Sequence, residues 1–116
     1  MLLYIAATTQ VVSTVLVVER EEAGKIHGVQ RPVYYLSEVL TESKQRYPQY
    51  QKLVYGIFRA TWRLPHYFQE HPITVVSSAP LADIIRNRDA TGRVSKWEVE
   101  IGVHNVKYKP RKAIKS

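Results

Sequence analysis

The residues able to do chemistry in this sequence are few, and their spacing does not assemble them. Its four histidines, His27, His66, His71 and His104, stand in no metal-ligand spacing such as HExxH, and no cysteine is present to complete a thiolate site. Acids are absent from Met1–Val18, from Ser43–Gln69 and from His71–Ala82. Asp83, Asp89, Glu98 and Glu100 are the acids nearest the later elements, and Glu98 and Glu100, two apart, cannot share a helical face. A paired-carboxylate site is therefore not expected, and the histidines read as surface or turn residues. The chain also lacks a glycine-rich phosphate loop and a GxSxG nucleophile turn. No metal and no cofactor is expected.

Basic side chains are the stronger signal. The net charge is +7, which suits an anionic partner because cations that neutralise phosphates release condensed counterions. Lys44, Arg46, Lys52, Arg59 and Arg63 fall in a stretch without an intervening acid. Two readings stay open for them: a surface for phosphate contacts without sequence readout, or a solvated helix face. A second basic run, Lys107, Lys109, Arg111, Lys112 and Lys115, reads as a linker-like tail over 109–116. Most aromatic residues fall on expected core positions, with Trp62 at the edge of an apolar arc, where stacking on a base is also open.

The elements that must position these residues follow from hydrophobic period and turn chemistry. Leu2–Ala7 and Val11–Val18 are rich in β-branched residues and flank the polar Thr8-Thr9-Gln10, so they read as a hairpin. Glu19–Gly28 reads as a looser turn before a third strand, Pro32–Val39. Thr41–Arg46 is polar, and Pro48 opens the main helix, which ends at Leu64 before Pro65. At roughly 100° per residue, Tyr50, Leu53, Val54, Ile57, Phe58, Thr61 and Leu64 share one arc, and Lys52, Arg59 and Arg63 line up away from it. A short strand, Ile73–Ser77, precedes a helix over Pro80–Arg86 with Ser78 as its cap. Thr91 is placed to cap a helix over Gly92–Ile101 that Gly102 can close, before a last strand, Val103–Tyr108. The order β-β-β-α-β-α-α-β predicts an α/β domain with a mixed five-stranded sheet, three antiparallel strands and then two more, and helices on its faces.

Length and composition bound the rest. A chain of 116 residues with 45% hydrophobic content makes one domain with a real core. Its longest apolar runs, Leu2–Ala7 and Val15–Val18, are far short of the ~18 residues a membrane span needs, so no membrane partner is expected. The lack of cysteine fits a reducing, intracellular setting, cytoplasmic or nuclear. Both ends read as those of a piece of a larger polyprotein, since Met1 enters an apolar run directly and the far end is a basic linker.

Six ordered segments carry a resemblance: LYIAATTQVVSTVLVV, QRPVYYLSEVL, QRYPQYQKLVYGIF, HPITVVSSAPLADII, GRVSKWEVEI and YKPRKAIK. Together they make the chain resemble the RNase H region of reverse transcriptases from gypsy-type LTR retrotransposons, especially those of plants. That resemblance implies an RNase H-like fold. Active members hold two divalent metals with carboxylates on the first strand, the main helix and the end of the fourth strand, with a fourth beyond the last strand. Carried over residue by residue, those positions fall here on Ala6, Leu53 and Ser78, and the fourth would lie past Ser116. None of the three is a carboxylate, so they are degenerate as metal ligands. Their residue types suit other roles: Ala6 a strand core position, Leu53 the apolar arc, Ser78 a cap.

Some plant lineages of such elements resemble this arrangement, with a degenerate RNase H kept as a tether or connection domain before an active one. The resemblance therefore implies an inactive domain of a reverse transcriptase polyprotein. Its partners would be the reverse transcriptase and downstream domains, with sequence-independent contact to an RNA–DNA hybrid or duplex. A protein-interaction module on the same fold is the alternative, and a residual metal-dependent nuclease with relocated ligands a third reading.

Overall fold

The computed structural model describes residues 1–20, 29–79, 81 and 92–111. Its elements are β1 (Leu2–Ala7), β2 (Val11–Arg20), β3 (Val29–Val39), α1 (Glu42–Gln45), α2 (Gln49–Arg63), α3 (Pro65–Glu70), β4 (Ile73–Ser77), α4 (Gly92–Gly102) and β5 (Val106–Pro110). The expected turn over 21–28, most of the helix expected at Pro80–Arg86, the Thr91 cap and the end of the basic tail, 112–116, lie outside the described residues.

The five strands form one sheet in the order β3-β2-β1-β4-β5. β1–β2 and β2–β3 are antiparallel, whereas β1–β4 and β4–β5 are parallel. This is the mixed sheet the element order predicts, because a strand reached through a helix returns parallel to its neighbour. The β1–β2 hairpin closes where Thr8 N–H donates to the Val11 carbonyl (2.8 Å) and Thr8 Oγ1 accepts from the Val11 and Gln10 amides at 3.1 and 3.3 Å. A short polar side chain is needed there to satisfy amides that the ladder does not reach. Between β2 and β3 the register slips after Leu16, which pairs with Tyr34 while Val17 pairs with Pro32. Pro32 has no amide hydrogen for a regular ladder, so the irregularity falls beside it.

Alternation sorts the strands into two faces. Leu3 and Ile5 of β1, Val12, Thr14 and Leu16 of β2, and Ile73, Val75 and Ser77 of β4 are buried on the face that carries α2. A methyl group on Gly56 of α2 would stand 2.5 Å from Val12 Cγ1 and 2.7 Å from Ile5 Cδ1, so only glycine lets the helix sit this close to the hairpin. α2 buries Leu53, Val54, Ile57 and Ala60, each at most 2% exposed, which at about 1.5–3 kcal/mol for each of the larger side chains makes it the centre of the core. α4 packs on α2 through Trp97, whose ring lies 5.3 Å from Tyr55, 6.0 Å from Tyr47 and 6.0 Å from Phe58.

Several boundaries differ from the sequence expectation. The polar stretch Thr41–Arg46 contains α1, a single turn whose first amides are met by Thr41 Oγ1 accepting from Lys44 N–H at 3.4 Å. Pro65 ends α2 and also starts α3, where its fixed φ suits the first helical position and Phe68 anchors the turn in the core. α4 ends on Gly102, one residue later than the expected last helical residue Ile101, and His104 N–H donates to the Ile101 carbonyl at 3.0 Å. That turn uses Val103–Asn105, so β5 begins at Val106. Val106 and Tyr108 still face inward while Lys107 and Lys109 are exposed, as alternation requires.

Candidate functional site

The carboxyl ends of β1 and β4 hold two of the three positions that the resemblance implies, Ala6 and Ser78, and Leu53 lies on α2. The parallel pairing runs Leu2 with Thr74, Leu3 with Val75 and Tyr4 with Val76, and continuing that register sets Ala6 level with Ser78. Both are exposed. Ala6 is thus not a core residue as its type suggests, because alternation puts it on the face opposite Ile5, away from α2. Leu53 is 2% exposed and belongs to the core, as expected. Its helix is tied to the same hairpin: Gln49 Nε2 donates to the Ala7 carbonyl at 2.9 Å, and Lys52 Nζ to the Thr8 and Thr9 carbonyls at 3.2 and 3.0 Å.

Two divalent metals would need hard anionic oxygens here. A methyl, an isobutyl and one neutral hydroxyl do not fit that requirement. Among the described residues no three His, Asp or Glu side chains converge. His66 and His71 are exposed, and His104 packs its ring 5.6 Å from Phe68. His27, Asp83 and Asp89 lie outside the described residues. Glu100 accepts from Trp62 Nε1 at 2.9 Å, so Trp62, 61% exposed, is held edge-on to Phe58 by a polar anchor. Glu98 sits by Tyr108. Its Oε1 is buried with no hydrogen-bond partner among the described residues, and burial pushes its carboxyl above the ordinary value. Burial, reinforced by the Glu98 charge, pushes the Tyr108 phenol up to about 12.

The five expected nucleic-acid-binding cations are not one free stripe. Lys52 is only 5% exposed, since the hairpin loop folds over the first turns of α2 and its carbonyls take the ammonium. Lys44 Nζ donates to Tyr55 Oη at 3.0 Å and lies 4.7 Å from that ring; the bond to Tyr55 raises its pKa. Arg59 Nε donates to Glu38 Oε1 at 3.1 Å, and Tyr55 Oη donates to Glu38 Oε2. Burial first, and then the bond to Glu38, raise the Tyr55 phenol. Arg46 and Arg63 are exposed. Sequence reasoning missed Glu38 as the hub of this network. Its signal was an acid at an inward strand position, in phase with Leu36, opposite a helix that carries Arg59.

The sequence matches the family model described as an RNase H-like domain found in reverse transcriptase over residues 1–102. The chain belongs to that RNase H-like family. Solved structures agree on the fold. A foamy viral protease–reverse transcriptase in complex with double-stranded DNA superposes with a TM-score of 0.69 at 14% identity, over 99% of this chain and 20% of that one. The same kind of enzyme in complex with an RNA/DNA hybrid gives 0.68 at 14% identity, over 98% and 15%. The native protease–reverse transcriptase of prototype foamy virus gives 0.65 at 12% identity, over 99% and 15%. The RNase H-like domain therefore spans about a fifth or less of these neighbours. No curated protein matches it. Among the described residues, no helix is long and apolar enough to cross a membrane.

Proposed function

We propose that this RNase H-like domain is a noncatalytic tether or connection domain in the polyprotein of a plant gypsy-type LTR retrotransposon, supporting its reverse transcriptase. The observation that carries the reading is positional. Ala6 and Ser78 stand level at the carboxyl ends of β1 and β4, Leu53 is buried in the adjoining helix, and none can hold a cation. Leu53 is packed in the core while Ala6 and Ser78 are exposed, and without acids at the three positions the mutual repulsion of close carboxylates is absent. The gypsy-type and plant assignment rests on the six sequence segments.

Contact with an RNA–DNA hybrid or duplex is the accompanying role. Of the five candidate cations, Lys52 is engaged by backbone carbonyls, Lys44 by Tyr55 and Arg59 in part by Glu38, so the exposed Arg46 and Arg63 are the ones placed best for phosphate. Such contact carries no base readout. A mobility-shift titration with labelled hybrid in Mg²⁺ tests both halves. The hybrid should be retained full-length, with binding that weakens as salt rises and is indifferent to sequence. Neutralising Arg46 and Arg63 together should flatten the log–log salt dependence by about 2, one unit for each phosphate contact. Metal-dependent fragments would overturn the noncatalytic reading, and an unchanged salt slope would remove Arg46 and Arg63 from the contact surface.

A further inference from the structure

A cavity of about 280 Å³ opens between β3 and α2, on a part of the molecule distinct from the Ala6–Ser78 end. Val12, Leu36 and Ala60 give it an apolar floor, and Glu38, Arg59 and Arg63 stand at its rim. Both Glu38 oxygens are already engaged, by Arg59 and by Tyr55. Arg59 uses only its Nε there, and Arg63 makes no hydrogen bond or ion pair among the described residues. The rim therefore has one carboxylate against two guanidiniums, with donors to spare.

The cavity lies along a sheet edge. Among the described residues β3 is the terminal strand, paired on one side only, and it is long, from Val29 to Val39. Its outer backbone groups are a template for another extended chain. Of the seven large hydrophobic side chains exposed among the described residues, four belong to this strand: Val33, Tyr34, Tyr35 and Val39, at 42, 46, 62 and 75%. Exposed charge, proline and a bulge ordinarily blunt an edge strand; here Arg31, Pro32 and the register slip guard its first part, and the stretch from Val33 to Val39 carries the four exposed apolar side chains.

We propose that this groove receives an extended, acidic–apolar segment of another polypeptide, added as a sixth strand beside β3. Side chains two apart on such a strand point the same way, so an apolar residue entering the cavity sets a carboxylate two positions along against Arg63 and Arg59. Charge decides the occupant. A second copy of this chain brings its own net +7 to the same guanidiniums, and a phosphate backbone, which Arg63 can meet from the rim, leaves the apolar floor uncovered.

The test uses the full chain labelled with ¹⁵N and capped heptapeptides alternating threonine with valine or leucine. One alternate position carries aspartate or lysine, in either order along the peptide. Aspartate peptides are expected to shift the amides of β3 and to bind at least tenfold more tightly than their lysine counterparts. Arg63→Ala should level that preference and Arg63→Glu should reverse it, with the remaining spectrum reporting an intact fold. Absence of binding, equal affinity for the two peptide sets, or shifts confined to other strands would overturn the proposal. So would a dimer of the chain alone that occupies the β3 amides, or a single-stranded oligonucleotide that shifts them in the peptide's place.

Discussion

At the scale of single residues, Lys52 shows how a charge can serve the fold. Its ammonium is held between the Thr8 and Thr9 carbonyls, which close the β1–β2 hairpin and have no other donor in the described contacts. Lys52→Met keeps the apolar stem and removes the donor, leaving two backbone acceptors half-buried. It should cost about 1–3 kcal/mol, read as a lower urea midpoint with an unchanged slope. Tyr108 gives a pH signature. Its pKa is pushed from 10.0 up to about 12, so the folded state holds the proton more tightly than the unfolded chain does. A raised pKa contributes stability fully present below pH 10 and lost as pH rises through about 12. Tyr108→Phe should abolish that component of the alkaline loss of stability, seen by comparing denaturant midpoints of the two proteins between pH 9 and pH 12. Helical period alone put Lys52 on a stripe with Arg59 and Arg63. Its burial was illegible because the covering loop lies more than forty residues away in sequence. Ala6 was misread for a related reason: residue type suggests core, but only strand parity decides the face.

At the scale of elements, α2 and α4 are joined by an aromatic cluster, with the Trp62–Glu100 hydrogen bond beside it. Trp97 is 9% exposed and meets Tyr47, Tyr55 and Phe58 at 5.3–6.0 Å between ring centroids. Trp97→Ala should cost about 3–5 kcal/mol, because the rings of two helices cannot collapse into the space together. Calorimetry should show one transition at a much lower Tm; a change within the error of the wild-type value would mean that α4 is docked by something else. The Glu38–Arg59 pair is half-exposed and should contribute under about 1 kcal/mol. The strands and the main helix were legible because their signals are local: β-branched runs, a proline at a helix start, and a seven-residue apolar arc on α2. α1 and α3 were not. Each is a turn or two long, shorter than the window in which period can be counted, and each depends on Thr41 or Pro65 beside an already placed α2. β5 was set too early because Val103 looks like strand, yet its stretch is needed for the turn after α4.

At the scale of the whole molecule, the mixed sheet and the family membership agree, and the neighbours of known structure share the fold over nearly the full chain. What the fold does not transmit is chemistry, because function lives in the site and not in the architecture. Here the topology brings Ala6 and Ser78 together at one sheet end and leaves no anionic oxygen at the metal-ligand positions that the resemblance implies. The most direct test is a cleavage time course on an end-labelled RNA–DNA hybrid, with the purified chain in Mg²⁺ and then Mn²⁺. A hybrid that stays full-length in both is the expected result. Cleavage by this chain that a single substitution such as Glu98→Gln abolishes would contradict the account.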